Sequence, residues 1–126
     1  MTEDEIQIYP KAWGEEHWIV NKEYCGKRLL LKAGHRCSLH YHKKKDEVFY
    51  VTRGAVLMEV GKTTVIMRPG MKQHIKPLER HRFTGLEDSE IMEFSTTHFE
   101  EDSYREASGG AVPDQEFREL LRTYLG

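Results

Sequence analysis

Two histidines separated by a single residue, His40 and His42, lie near the centre of the sequence, and Glu47 follows five positions later. Alternate side chains of a β-strand point to the same face of a sheet, so a strand through this region brings the two imidazoles together. A second strand beginning at Glu47 and a third carrying His81 could direct their side chains into the same interior. Three imidazoles and one carboxylate would then surround a single point.

This set of side chains suits a divalent transition metal. Imidazole nitrogen binds Zn, Fe, Ni, Cu and Mn, and a carboxylate adds the negative charge that the harder ions favour. Four protein ligands leave positions open on a six-coordinate ion, so water or a substrate can bind. An isolated His-x-His pair also occurs on the solvated face of a strand, where it binds no metal. His74 is a further candidate ligand, held in reserve. We expect one ion of Zn, Mn, Fe, Ni or Co, with its identity left open.

The elements that must position these residues are short β-strands. Apolar runs rich in β-branched and aromatic residues recur at a spacing of roughly ten residues, separated by glycine and proline. The runs are KRLLLK, CSLHYH, EVFYVTRG, AVLMEVG, TTVIMRPG, HRFTGL and EIMEFSTTHF. This regular spacing of short strands predicts an antiparallel sandwich or barrel. Within CSLHYH, strict alternation places Ser38 on the face of the two histidines and Cys37 on the opposite face.

Helical periodicity is confined to the end of the chain. Asp114 can cap a short helix over about residues 114–125, and we expect this helix to pack on the barrel or on a second subunit. The residues that share its apolar face are Phe117, Leu120, Leu121 and Tyr124. The stretch before it, about residues 100–113, is polar and contains Gly109 and Gly110. We interpret that stretch as a loop.

The composition is typical of one compact domain. Of 126 residues, 38% are hydrophobic and 32% are charged, which suffices for one core. The net charge of −2 gives no electrostatic footprint for nucleic acid, and no apolar run approaches the ~18 residues of a membrane span. The opening segment, MTEDEIQIYP, is acidic where a signal peptide is basic and apolar. We therefore expect a cytoplasmic protein with Cys25 and Cys37 reduced, and neither nucleic acid nor membrane as a partner.

The residues around the candidate metal ligands also follow a regular spacing. Gly34 and Gly54 flank the two central histidines and Glu47 at the full spacing of the first cupin motif, and IKPLERHRF, which contains His81, is similar to the second. The sequence thus resembles the cupin superfamily over about residues 27–97. The second motif departs from the family pattern because it lacks the usual glycine at position 78 or 79.

The cupin resemblance implies a fold and a ligand set. The implied fold is all-β, an antiparallel jelly-roll β-barrel, in a single domain of residues 1–126 that ends in the short α-helix. The implied metal ligands are His40, His42, Glu47 and His81. Cupins commonly form dimers through the N-terminal strand, so the resemblance also implies a homodimer.

The flanking residues resemble a narrower group. The segments YPKAWGEEHWIV and GKRLLLKAGHRCSLHYHKKKDE are similar to the cupin domain of type II mannose-6-phosphate isomerases, with matches at Trp13, Gly14, Ser38, Leu39, His42, Lys45 and Glu47. His40 stands where that group usually has glutamine, and Lys45 replaces its arginine. The resemblance therefore implies a relative that isomerises a sugar or sugar phosphate, rather than the mannose enzyme itself.

Aldose–ketose isomerisation requires a base that moves a proton between adjacent carbons while a metal polarises the carbonyl oxygen. The catalytic candidates are Glu93, if its strand turns it inward, and His98. Glu100 lies near the expected mouth of the barrel and is a further candidate.

The substrate-binding candidates are charged. A phosphate would seek cations such as Lys45, Arg53 or Arg105. The segment EDSYR resembles the tail that follows the barrel in the same isomerases, so Asp102 and Arg105 are predicted to orient the substrate. The run Lys43–Lys45 is also typical of a solvated turn.

Two other functions fit the same ligand set. A cupin can hold a metal and a sugar-like ligand without turning the ligand over, and Fe(II) in a site of three histidines and one glutamate can activate oxygen. Metal identity and oxygen dependence distinguish these alternatives from an isomerase.

Overall fold

The computed structural model describes residues 5–126. Its strands are β1 (Gln7–Lys11), β2 (Gly14–Asn21), β3 (Tyr24–Leu31), β4 (His35–Arg36), β5 (Leu39–Tyr41), β6 (Glu47–Arg53), β7 (Val56–Val60), β8 (Thr63–Met67), β9 (Lys72–Ile75), β10 (His81–Gly85), β11 (Ser89–Thr96), β12 (Tyr104–Ala107) and β13 (Gly110–Ala111). A 3₁₀ turn, Glu100–Asp102, follows β11, and one α-helix, α1 (Asp114–Tyr124), ends the chain. The predicted all-β fold with a C-terminal helix is confirmed.

The strands form two antiparallel sheets. The first has six strands in the order β1-β2-β3-β11-β6-β9. The second contains the path β12-β5-β10-β4-β13, with β7 paired to β10 and β8 paired to β7. Neighbours in the first sheet include β3 and β11, which are distant in sequence, as in a jelly-roll barrel.

Alternating burial along the strands explains why they close on one another. In β3 the residues at positions 25, 27, 29 and 31 are buried and those between them are not. The inner faces of both sheets supply one apolar cluster. Its buried members are Trp13, Leu29, Leu31, Cys37, Phe49, Val51, Val56, Met58, Val60, Met67, Ile75, Phe83 and Ile91.

The C-terminal helix covers the outer face of the second sheet. Phe117, Leu120 and Leu121 of α1 pack on a smaller buried cluster around Leu57 and Leu86. The predicted packing of the helix on the barrel is therefore confirmed. Within residues 5–126, no helix is long and apolar enough to cross a membrane.

Several local predictions were wrong. Asp114 is the first residue of α1 and does not cap it, since the N-cap position is Pro113 and no side chain caps the helix by a hydrogen bond. The predicted loop of about residues 100–113 contains β12, which pairs with β5, because the edge of the second sheet offers it backbone partners. Cys37 does not point away from the histidines, since residues 37 and 38 lie between β4 and β5 and escape strict alternation. Its thiol is a buried member of the core, and its sulfur accepts a hydrogen bond from the backbone N–H of Phe83.

Candidate metal centre

Three histidines converge between the two sheets. His40 lies on β5, opposite His81 of the paired strand β10, and His42 follows β5 by one residue. One ring nitrogen from each of the three lies within 4.8 Å of those of the other two. This arrangement could hold a metal ion, as the sequence predicted for these three residues.

The second ring nitrogen of each histidine fixes the orientation of its ring. The Nδ1 atoms donate to backbone carbonyls, that of His40 to Ser38 at 2.7 Å, that of His42 to Asp102 at 2.9 Å and that of His81 to Glu79 at 2.9 Å. Since a carbonyl can only accept, Nδ1 carries the proton and Nε2 keeps its lone pair. Backbone acceptors of this kind are the usual outer support of metal-binding histidines.

Glu47 reaches this point from the opposite sheet. Its Oε2 lies 3.4 Å from Nε2 of His42 and 3.2 Å from Nε2 of His81. Within residues 5–126, neither this Oε2 nor the Nε2 of His81 has a hydrogen-bond partner, although both atoms are buried. Two facing lone pairs without a proton between them repel, and a cation removes that repulsion. The donor set therefore fits a divalent metal ion.

The ionisation states suit the same use. Burial lowers the pKa of His40 to about 3, so its imidazole is neutral at pH 7. Burial alone would raise the pKa of Glu47, but the nearby ammonium of Lys45 helps to hold it well below its ordinary value. Neutral imidazole and ionised carboxylate are the forms that bind metals.

A cavity of about 100 Å³ lies beside the three histidines. Residues of both sheets line it. The apolar ones are Trp13, Leu29, Phe49 and Phe83, and the polar or charged ones are Lys11, Glu16, Lys27, Cys37, Ser38, His40, His42, Lys45, Glu47, Glu93, His98, Glu100, Ser103 and Arg105. The cavity is thus small and strongly polar.

Lys45 corrects the interpretation of Lys43–Lys45 as a solvated turn. Its side chain is buried, with Nζ 2.6 Å from Oε2 of Glu93 and 3.7 Å from Oε1 of Glu47. Burial alone would lower the pKa of Lys45, but these two carboxylates raise it above its ordinary value. Lys45 therefore stays charged, because the two carboxylates replace the water that would otherwise solvate its ammonium group.

His98 continues this network toward the solvent. Its Nδ1 accepts a hydrogen bond from Nζ of Lys45 at 3.1 Å, and its Nε2 donates to Oε1 of Glu100 at 2.9 Å. Burial and the charges of Lys45 and Lys27 lower the pKa of His98, which keeps the ring neutral at pH 7. The structure therefore brings both catalytic candidates, Glu93 and His98, to the cavity.

The structure places only some of the substrate-binding candidates at the cavity. Arg105 lines the cavity, whereas Asp102 does not. The Asp102 carboxylate instead accepts the backbone N–H groups of Lys43, Lys44 and Lys45, at 2.9, 3.1 and 3.1 Å, which makes it the cap of that turn. The sequence could not show this role because the acceptor and its donors are about 58 residues apart.

Arg53 and His74 also lie away from the centre. Arg53 lies at the opposite end of β6 from Glu47, where a register shift between β6 and β11 ends the strict alternation, and six residues of strand separate the two by roughly 20 Å. It is exposed and lines a different hollow with Lys32 and Asp88. His74 is an exposed residue whose Nε2 is hydrogen-bonded to Asp46, so it is not part of the histidine group.

Lys27 and Glu16 were missed as cavity residues. Lys27 is 1% exposed, its Nζ lies 2.7 Å from Oε1 of Glu16, and it sits 4.4 Å from the ring centroid of Trp18. The signal was present in YCGKRLLL, where position 27 shares a face with apolar Cys25 and Leu29. A lysine in the buried phase of a strand needs a buried carboxylate.

Comparisons with known proteins agree with the fold. The family model for the cupin domain matches residues 27–97. No curated protein matches in sequence. A Streptomyces protein, Pac13, solved with uridine matches at a TM-score of 0.74 and 14% identity, over 91% of this chain and 93% of that one. A structure described as the nucleoside dehydratase Pac13 scores equally, at 13% identity.

Other solved structures give similar values. KdgF from Halomonas sp. matches at a TM-score of 0.69 and 17% identity, over 77% of this chain and 89% of that one. Ectoine synthase from P. lautus matches at 0.69 and 18% identity, over 80% and 81%. At these identities the likeness shows a common barrel, and these neighbours include enzymes of different kinds.

Proposed function

This chain belongs to the cupin domain family, and we propose that it is a metal-dependent enzyme that isomerises a small, hydroxylated, sugar-like carbonyl compound. The observation that carries the proposal is the pair of buried, unpartnered atoms, Oε2 of Glu47 and Nε2 of His81, together with the polar cavity that Glu47 lines. In the proposal, His40, His42, His81 and Glu47 hold one divalent ion.

The chemistry needs polarisation of a carbonyl and a proton transfer. A bound divalent ion would supply Lewis-acid polarisation of the substrate oxygen. We assign the base to Glu93, because its carboxylate lines the cavity and is oriented by the Lys45 ammonium, which lies 2.6 Å away. Lys45 also contacts Glu47, so it fixes the carboxylate of the base relative to that of the metal ligand.

His98 is the group we assign to proton exchange with solvent. Its ring links Lys45 inside the cavity to the exposed carboxylate of Glu100. The backbone of His98 is held by Asn21, which donates to its carbonyl at 3.1 Å and accepts from its N–H at 2.9 Å. A fixed neutral imidazole accepts and donates protons at pH 7, which suits a relay.

The isomerase proposal is tested by deuterium exchange. The metal-loaded protein is incubated with aldoses and ketoses of three to six carbons in D₂O, and proton NMR follows label at the carbon beside the carbonyl. We expect exchange that Glu93→Gln slows by about 100-fold or more. The matched control is Glu90→Gln, which lies on the same strand, β11, with its side chain hydrogen-bonded to Thr52 outside the cavity.

A non-catalytic binding module is the second candidate. The specific observation in its favour is that Glu93 and His98 both already have polar partners. Tight ligand binding without exchange would support this candidate and contradict the isomerase. Oxygen consumption that requires Fe(II) would instead support a dioxygenase, which the same four-residue ligand set suits.

A further inference from the structure

The carboxylates that line the cavity already have partners or assigned uses. Glu16 is paired with Lys27 at 2.7 Å and Lys11 at 3.8 Å, and Glu93 is paired with Lys45 at 2.6 Å. The remaining two lining carboxylates also have assigned uses: Glu100 accepts from His98, and Glu47 faces the histidine group. Among the described residues, each lining carboxylate thus already has a partner or an assigned use.

Arg105 is the cavity cation that remains. It lies on β12 opposite His40 of β5, which places it beside the histidine group at the rim. The next residue, Glu106, is drawn to Arg80, with 2.7 Å between Oε1 and Nε, and Asp102 is occupied by the turn at residues 43–45. Within the described part of the chain, Arg105 has no carboxylate within ion-pair distance.

We propose that Arg105 binds an anionic group of the ligand, so that the ligand is a small hydroxylated oxyanion rather than a neutral sugar. A guanidinium offers a planar pair of N–H donors that fits a carboxylate or a phosphate. The cavity of about 100 Å³ suits a small ligand. The inference deepens the proposed function and rests on it in one respect, because a divalent ion held by three neutral imidazoles and the single carboxylate of Glu47 would leave a net positive charge near Arg105.

Three probes of one carbon skeleton test the inference. Isothermal titration calorimetry is carried out with glycerate, glycerol 3-phosphate and glycerol on protein incubated with one equivalent of zinc, and on metal-free protein. We expect glycerate or glycerol 3-phosphate to bind the zinc-treated protein at least about tenfold more tightly than glycerol. Preference for glycerate identifies a carboxylate ligand, and preference for glycerol 3-phosphate identifies a phosphate ester.

Substitutions of Arg105 test whether this residue binds the anion. Arg105→Gln should weaken binding of the preferred anion by about tenfold or more, and Arg105→Lys should recover part of the loss. Arg68→Gln changes the net charge equally at an exposed position outside the cavity lining and should leave the affinity unchanged. Thermal unfolding of each variant verifies its fold.

The outcomes separate this inference from the proposed function. Equal affinity for all three probes, absence of anion binding, or equal losses in Arg105→Gln and Arg68→Gln would overturn the inference even if the metal binds. Anion binding that depends on Arg105 in a protein that holds no metal would leave the inference standing and overturn the metal-dependent enzyme.

Discussion

At the scale of single residues, Leu78 has a backbone conformation that is unfavourable for any residue with a Cβ atom. Its φ is 74°, although its side chain is 57% exposed and contributes little packing. This is one of the two positions at which the cupin motif usually carries glycine. The N–H of Leu78 donates to the carbonyl of His42 at 2.6 Å, and the carbonyl of Glu79 holds His81. The left-handed turn thus helps to place two candidate ligands.

Leu78→Gly should stabilise the protein. A left-handed residue with a Cβ costs about 1–2 kcal/mol, and the greater freedom of glycine in the unfolded chain offsets part of the gain. We expect a net gain of about 0.5–1 kcal/mol in the free energy of unfolding, measured with urea. The control is Leu78→Ala, which retains the strain and should show no gain. A glycine variant no more stable than the alanine variant would contradict this account of the turn.

Asp102 stabilises its turn only when ionised. Burial alone would raise its pKa, but the N–H groups of Lys43, Lys44 and Lys45 lower it below the ordinary value. A lowered folded-state pKa means that the stabilisation is present above the unfolded pKa of about 4 and is lost as the pH falls through the folded value. Asp102→Asn should therefore destabilise by about 1–2 kcal/mol at pH 7.

The pH dependence of that loss can be measured directly. Urea unfolding of wild type and Asp102→Asn at pH 7 and pH 3 should show a gap that narrows in acid. Glu101→Gln, at the neighbouring exposed position, should show no gap at either pH. A gap that widens as the pH falls would mean that the carboxylate is not the stabilising group.

At the scale of elements, the two glycines of the first motif are required for different reasons. Gly54 connects β6 to β7 with φ 88°, and a Cβ there would lie 2.2 Å from Oγ of Ser89 and 2.5 Å from the backbone oxygen of Asp88. Gly34 has φ 75°, but a Cβ there would meet the ring of Phe117 at 3.5 Å, an ordinary contact. A Cβ at position 54 would therefore overlap backbone that cannot move aside, whereas a Cβ at position 34 has room.

Alanine substitutions should separate these two cases. Gly34→Ala should cost about 1–2 kcal/mol of stability, from the left-handed backbone alone. Gly54→Ala adds a steric overlap and should cost about 3 kcal/mol or more. Thermal and urea unfolding of both variants provide the measurement. Equal losses would show that the close approach at Gly54 relaxes without cost.

Strand phase was predictable at this scale where the alternation was regular. The inward face of β6 from Glu47 to Val51, and hence the position of Glu47, followed from a period-two pattern. The pattern failed at Cys37, which lies between two strands, and a polar composition concealed the edge strand β12. Both failures arise because pairing across a sheet is a tertiary property that local sequence does not carry.

Long-range polar pairs limited the prediction of the site in the same way. The three histidines and Glu47 were identifiable because their types and spacing are informative. Lys45 and Asp102 were misassigned because their partners lie about 50 residues away in the chain. Charged residues are mostly solvated, so the sequence favoured that interpretation for Lys45, whereas the resemblance to the isomerase tail assigned Asp102 to the substrate.

At the scale of the whole molecule, the outer face of the six-stranded sheet exposes apolar side chains. Ile8 of β1 is 57% exposed, and Phe94 of β11 is 54% exposed. The pairing register places both on the face opposite the core. The expected homodimer remains a prediction, and this face is where we expect it to form.

Charged substitutions on that face test the dimer. Ile8→Glu combined with Phe94→Glu should convert a dimer into monomers in sedimentation velocity, because burial of two carboxylates opposes association. Met71→Glu, exposed in the turn before β9, should leave the dimer intact. A wild-type protein that is monomeric at tens of micromolar would contradict the prediction.

The central claim is that the histidine group and Glu47 form a metal site, and elemental analysis by plasma mass spectrometry tests it most directly. Wild-type protein should carry about one equivalent of a divalent transition metal, which the His40→Ala/His42→Ala double variant should lose. The matched double variant His35→Ala/His74→Ala removes two histidines outside the cavity lining and should retain the metal. Metal retained in full by His40→Ala/His42→Ala, or absent from the wild type even after reconstitution, would contradict the account.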